Sequence, residues 1–252
     1  MFFKKKPWVR FFNLVPGVEI AHPIIPASEQ RYAWLSKVAR DFKDNQKNRG
    51  THRCPGIVDF LHRGFIVTAP FDFTIVTNRN NNENFEWATA VNMKNFIDAP
   101  YIGSLTKETL ANFIPFREDT LKTIIKVNTY WRYSSSNDII LLQMPITYPD
   151  HNIFTACTGI IDPDKYLELI VQLQWHKLDG HYTVKAGTPL CQLIPIPKNL
   201  VLNLVVDRLT QEDEYLSRAH KYLVTHAYRR NLTLWKNSCK IILDKLRKNK
   251  NA

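Results

Sequence analysis

The sequence predicts a mainly β protein: an antiparallel barrel or sandwich core, an extended N-terminal arm and a C-terminal α-helical segment. Three observations carry this. Short runs of β-branched and aromatic residues recur through the middle of the chain, separated by Pro, Asn and Gly. The opening stretch is punctuated by Pro7, Pro16, Pro23, Pro26 and Pro55, which remove amide donors and favour extended backbone. From Leu209 onward, apolar residues return at helical spacing among lysines. The chain therefore divides into an arm over 1–55, a β-rich core over 56–208 and a basic helical segment over 209–252.

Within the arm, Trp34, Leu35, Val38, Ala39 and Phe42 place one amphipathic helix over about 29–46. The core opens with a short helix at IVDFLH, for which Gly64 is the stop. Strands are expected at Phe65–Pro70, Phe73–Thr77, Phe85–Thr89, Leu121–Tyr133, Ile139–Ile146, Leu169–Trp175, Tyr182–Lys185, Pro189–Ile196 and Val201–Val206. Leu178-Asp179-Gly180 reads as a hairpin turn. In the last segment Thr210 is an N-cap with Asp213 at the third helical position. Two stripes follow, Tyr215, Ala219, Tyr222, Leu223, His226 and Trp235, Cys239, Ile242, Leu243, Leu246. Stripes this apolar need a partner surface, in the core or on another subunit.

A chain of 252 residues with 44% hydrophobic and 23% charged residues has the composition of a folded globular protein. No apolar run approaches the roughly 20 residues that span a bilayer, so no membrane contact is expected. The N-terminus lacks the long apolar core of a signal peptide, which points to the cytoplasm. Cys54, Cys157, Cys191 and Cys239 show no close pairing, so neither a metal nor any other cofactor is expected. The net charge of +11 gathers at the ends, around Lys4, Lys5, Lys6 and Arg10 and around Lys236, Lys240, Lys245, Arg247, Lys248 and Lys250. Such ends suit nucleic acid or an acidic partner, and equally a solvated helix face.

The strongest candidate site is Gly159-Ile-Ile-Asp162-Pro-Asp164-Lys-Tyr166-Leu-Glu168, where carboxylates and a ring emerge at a strand end. Asp162 could orient water or a sugar hydroxyl, and Tyr166 could stack on a ring. The alternative is a β-turn in which Asp162 caps its own backbone and Pro163 fixes φ. Gln192, in Gly187-Thr-Pro-Leu-Cys-Gln192-Leu-Ile-Pro195, is the polar side chain of a buried strand. Asp162, Asp164, Tyr166 and Gln192 are thus the candidate ligand-binding set, with Asp162 the base if the protein is an enzyme. Trp87, Trp131 and Trp175 are read as core, and His176 and His181 as turn residues. No Walker loop, Gly-x-Ser-x-Gly, His-Glu-x-x-His or dinucleotide fingerprint is present.

GIIDPDKYLE followed by GTPLCQL resembles the dUTPase and dCTP deaminase families in element order and spacing. The resemblance implies a compact β-clip-like core, often trimeric, in which the aspartate activates water and the tyrosine excludes ribose. Here Tyr166 sits one residue later than that pattern, Arg132-Tyr-Ser134-Ser135 stands where the family has an arginine-serine element, and a lysine-rich helix replaces the glycine-rich phosphate arm. A second resemblance spans more of the chain. CPGIVDFLHRGFIVTAPFDFTIVTN, Tyr130-Trp131, Leu141-Leu142-Gln143-Met144-Pro145, GIIDPDKY and KAGTPLCQLIPIPK are similar, in order, to an uncharacterised family of tailed bacteriophages, especially contractile-tailed cyanophages. It implies a viral protein of the virion or host cytoplasm. The expectation is a non-enzymatic protein that assembles with itself, as a trimer among other forms, or with phage or host proteins. A nucleotide-binding or nucleotide-hydrolysing protein is the alternative.

Overall fold

A computed structural model describes residues 6–37, 55–91, 100–106, 116–136 and 138–199, with 204, 206, 208–211 and 213–217 of the C-terminal part. The chain forms two compact units, Met1–Leu200 and Val201–Ala252.

The first unit is mainly β and antiparallel throughout. Thirteen strands are described, β1 (Val9–Asn13), β2 (Ile25–Pro26), β3 (Phe65–Thr68), β4 (Phe73–Asn78), β5 (Asn81–Ala88), β6 (Ile102–Leu105), β7 (Ile124–Ser135), β8 (Ile139–Met144), β9 (Phe154–Ala156), β10 (Gly159–Ile161), β11 (Glu168–Trp175), β12 (Gly180–Val184) and β13 (Pro189–Pro197). Two helices are short, α1 (Val18–Ala21) and α2 (Pro55–Leu61). The strands make three sheets: β1-β7-β11-β9 with β6 also on β7; β10-β8-β13-β3-β2; and β12-β4-β5. Each sheet keeps open edges, so no barrel closes among the described residues. Closure is what a barrel needs to remove its edges.

Long β-branched and aromatic runs explain the central strands. β7, IIKVNTYWRYSS, is flanked on one side by β1 and β6 and on the other by β11. β11, ELIVQLQW, alternates strictly, so Leu169, Val171, Leu173 and Trp175 face inward while Glu168, Ile170 and Gln172 face out. The period falters once in β7, where Tyr130 adopts φ 57 and turns inward beside Tyr101 at a ring separation of 6.1 Å. One apolar cluster joins all three sheets through Val127, Trp131, Leu141, Leu193, Phe73 and Val184. A smaller one gathers Ala27, Tyr32, Leu61, Ile66 and Ile146 between the arm and α2.

The arm does more than cross a surface. Its β1 adds an edge strand to β7, and its β2 adds one to β3. Of the amphipathic helix expected over 29–46, residues 33–37 are helical; Glu29 closes a 3-10 turn and 30–32 lie in no helix, while 38–46 lie outside the described residues. Trp131 and Trp175 are core residues as expected, whereas Trp87 is exposed on the polar hairpin of β5. Leu204 and Val206, the described residues of the expected last strand, lie in no strand. In the second unit, the amides of Thr210 and Asp213 and their side chains bond reciprocally, and Glu214 N–H donates to Thr210 C=O at 3.1 Å. This capping box starts the expected helix.

Candidate functional site

A single excursion of the chain builds the main cleft. After β9, Cys157 N–H still donates to Gln172 C=O of the first sheet. The chain then crosses to the second sheet as β10, pairs with β8, turns at 162–165 and returns as β11. The outward side chains of β7 and β11 form the floor, and 157–161 with 165–167 form the wall, around a volume of about 730 Å³. Lys126, Arg132 and Lys165 bring positive charge to it, against Glu168. Arg132 Nη2 lies 3.1 Å from Glu168 Oε1, so one cation is partly neutralised. Ile160, Leu167 and Tyr166 give an apolar and aromatic rim, all exposed.

The four candidate residues do not converge. Tyr166 lines the cleft; Asp162, Asp164 and Gln192 do not. Asp162 holds its own turn. Its Oδ1 accepts the Asp164 N–H at 3.1 Å, and its carbonyl accepts the amides of Lys165 and Tyr166 at 3.0 and 2.9 Å. Pro163 fits such a turn because its fixed φ needs no further ordering. Lys198, just beyond β13, reaches across and bonds both carboxylates, Asp162 Oδ1 at 3.0 Å and Asp164 Oδ2. That ammonium bond holds the Asp162 carboxyl below its usual range, and the two carboxylates push the lysine up. Tyr133 lies near them with a buried, unbonded hydroxyl, pushed up chiefly by burial and then by the two carboxylates.

Gln192 is fully buried in β13, and its Nε2 donates to Phe60 C=O at 3.0 Å and Arg63 C=O at 2.7 Å. It gives the Arg63 carbonyl a donor and adds a second to the Phe60 carbonyl, which also accepts the Arg63 N–H at 3.0 Å. Gly64 completes this stop in the left-handed region at φ 73. Cys157 lines the cleft, but burial pushes its thiol up, leaving it protonated and poorly nucleophilic. His176 bonds Thr155 Oγ1 at 2.7 Å, and its pKa is lowered by burial. His181 is exposed on β12. Among the described residues, no group of three or more His, Cys, Asp or Glu side chains could hold a metal ion, and no helix is long and apolar enough to cross a membrane. Lys240, Lys245, Arg247, Lys248 and Lys250 lie outside the described residues.

Sequence reasoning missed Lys126, Lys165 and Lys198. The first had a signal, since period-2 alternation along KVNTYWR puts Lys126 and Arg132 on one face. Lys198 had none, because a partner 36 residues away in sequence is set by strand pairing alone. The chain matches no protein-family model and none of the curated proteins compared with it. The arrangement can hold an anionic, partly apolar ligand in a wide cleft, beside a corner whose carboxylates are already engaged.

Proposed function

We propose that this protein acts by assembly and not by catalysis, as a virion component or intracellular accessory factor of a tailed bacteriophage. The observation that carries the reading is in the second unit. Leu204, Val206, Leu209 and Tyr215 are 88%, 83%, 70% and 62% exposed within a dozen residues. Apolar side chains this concentrated and this wet gain free energy when another surface covers them. A second copy of the chain, as in a trimer, or another phage or host protein would do so. The state of Asp162 supports the same reading. A carboxylate tied to an ammonium and to its own backbone is stabilised in its charged form, whereas a general base works best with a pKa near the operating pH.

The test is light scattering coupled to size exclusion on the full chain, at low and high salt, beside the Leu209→Gln/Tyr215→Gln double variant. An oligomer that the double variant weakens is the expected result. A monomer at every concentration, capturing nothing from infected cells, sinks the reading.

The cleft volume and its cations favour one second reading, a nucleotide-binding protein with a β-clip-like, dUTPase-related core. The volume falls in the range of small-molecule sites, and Tyr166 offers a ring beside Lys165. A bound nucleotide at a hundredfold excess over its dissociation constant stabilises by about 2.7 kcal/mol. A thermal-shift screen in which no nucleotide moves the melting point removes this reading.

A further inference from the structure

The outer face of the first sheet carries rings and cations in an order that strand register fixes. Residues directly opposite in an antiparallel pair project to the same side. Phe12 of β1 stands opposite Arg132 of β7, and Arg132 stands opposite Glu168 of β11. Arg10 stands opposite Ser134, one step further along the same face. The pairing continues past the end of β1, where Ser136 N–H donates to Trp8 C=O at 3.0 Å. Trp8, Arg10, Phe12 and Leu14 thus share the outward parity of β1, and all four are exposed. At the other end of β7, Lys126 faces outward beside Gly103, whose missing side chain leaves its flank open. Lys165 and Tyr166 overhang the face from the cleft wall.

Trp8, Phe12 and Tyr166 are 50%, 36% and 67% exposed, although burying any of them in the core would be favourable. Arg10 lies 5.6 Å from the centre of the Phe12 ring, so cation and ring are offered together. Between Asn128 and Arg132 four steps of β7 span two of β11, so Lys126 to Ser134 covers about six strand steps, roughly 20 Å at the antiparallel rise, room for a few bases in file. An acidic peptide would answer the cations and leave the rings in water. A duplex would keep its base faces in its own stack. A single strand answers both, with bases on the rings and phosphates on the cations.

We propose that this face binds single-stranded nucleic acid without strict sequence preference, Trp8, Phe12 and Tyr166 stacking on bases and Arg10, Lys126 and Lys165 meeting phosphates. All six residues belong to the first unit, so the proposal draws on none of the C-terminal lysines. The net charge of +11 adds a long-range, salt-sensitive attraction to it.

The test is fluorescence anisotropy of the full chain with a fluorescein-labelled oligodeoxythymidine of 20 nucleotides (a probe length of about one to several such sites), between low and physiological salt. A duplex of the same length and polyglutamate serve as competitors. Trp8→Ala/Phe12→Ala is expected to weaken binding about tenfold or more, as loss of stacked rings does. Replacing Lys240, Lys245, Lys248 and Lys250 by Gln is expected to cost far less at physiological salt. If the double variant melts early, Tyr166→Ala, at an exposed turn, must weaken binding in its place. No binding at low salt, binding indifferent to all three ring substitutions, or duplex and polyglutamate competing as well as the single strand would each overturn the proposal.

Discussion

Replacing Gln192 by Leu separates a structural strut from a ligand-binding residue. The side chain is fully buried and donates two hydrogen bonds, to Phe60 and Arg63 carbonyls at the end of α2. Leucine keeps the volume and removes both donors. Each lost bond forfeits about 1 kcal/mol net, and a carbonyl left buried without a partner costs about 1–3 kcal/mol. Two offsets reduce the sum. The Gln192 Oε1 atom is buried without a partner and disappears with the amide. The helix end is only partly buried, so water can reach the Arg63 carbonyl, and the Phe60 carbonyl keeps its bond from the Arg63 N–H. The net expectation is about 2–3 kcal/mol, and a unit of this size loses about 2–4 °C of melting temperature per kcal/mol. Circular dichroism melts and urea titrations measure it. The anisotropy affinity for the labelled oligonucleotide should stay unchanged, because Gln192 does not line the cleft. A Gln192→Leu protein as stable as the parent, or one that loses ligand affinity with stability intact, would refute the strut.

Two further outcomes concern the middle of β13 and the residue that follows it. Gly64→Ala is expected to destabilise by more than 3 kcal/mol on the order of magnitude of a buried backbone clash; its Cβ would meet Leu193 O at 2.0 Å and Leu193 C at 2.9 Å, both main chain. A urea midpoint within error of the parent would contradict this placement of α2 against β13. Lys198→Met removes the bond that lowers the Asp162 pKa. A carboxyl with a depressed folded pKa contributes stability above its unfolded pKa, near 3.9, and loses it as pH falls through the folded value. The parent's advantage over Lys198→Met, read as the urea midpoint, should therefore hold at neutral pH and vanish in strong acid; a difference that grows on acidification would contradict it.

Much of the architecture was legible because it rests on local patterns. The alternation of ELIVQLQW, the apolar run of β13 and the Thr210–Asp213 capping box each announce themselves within a few residues. What escaped depends on distant partners. β1 hides in a proline-rich arm, and VRFFN becomes a strand because β7 offers it an edge. β10 is three residues long, too short for any period to show. At the site, the Asp162 turn was readable from Asp-Pro-Asp chemistry, but its clamp by Lys198 was not. Gln192 looked like a ligand group because a polar residue in an apolar strand needs a partner; that partner is α2, brought there by the fold.

The claim that sets Asp162 apart from a general base is that Lys198 holds the acidic corner charged, as a brace. Carboxyl-detected NMR titration of Asp162, in the parent and in Lys198→Met, tests it directly. The account predicts a parent pKa below the ordinary carboxylate range that rises when the lysine is removed. An Asp162 that titrates above that range, or one indifferent to Lys198, would contradict the account and return the corner to the candidates for general base.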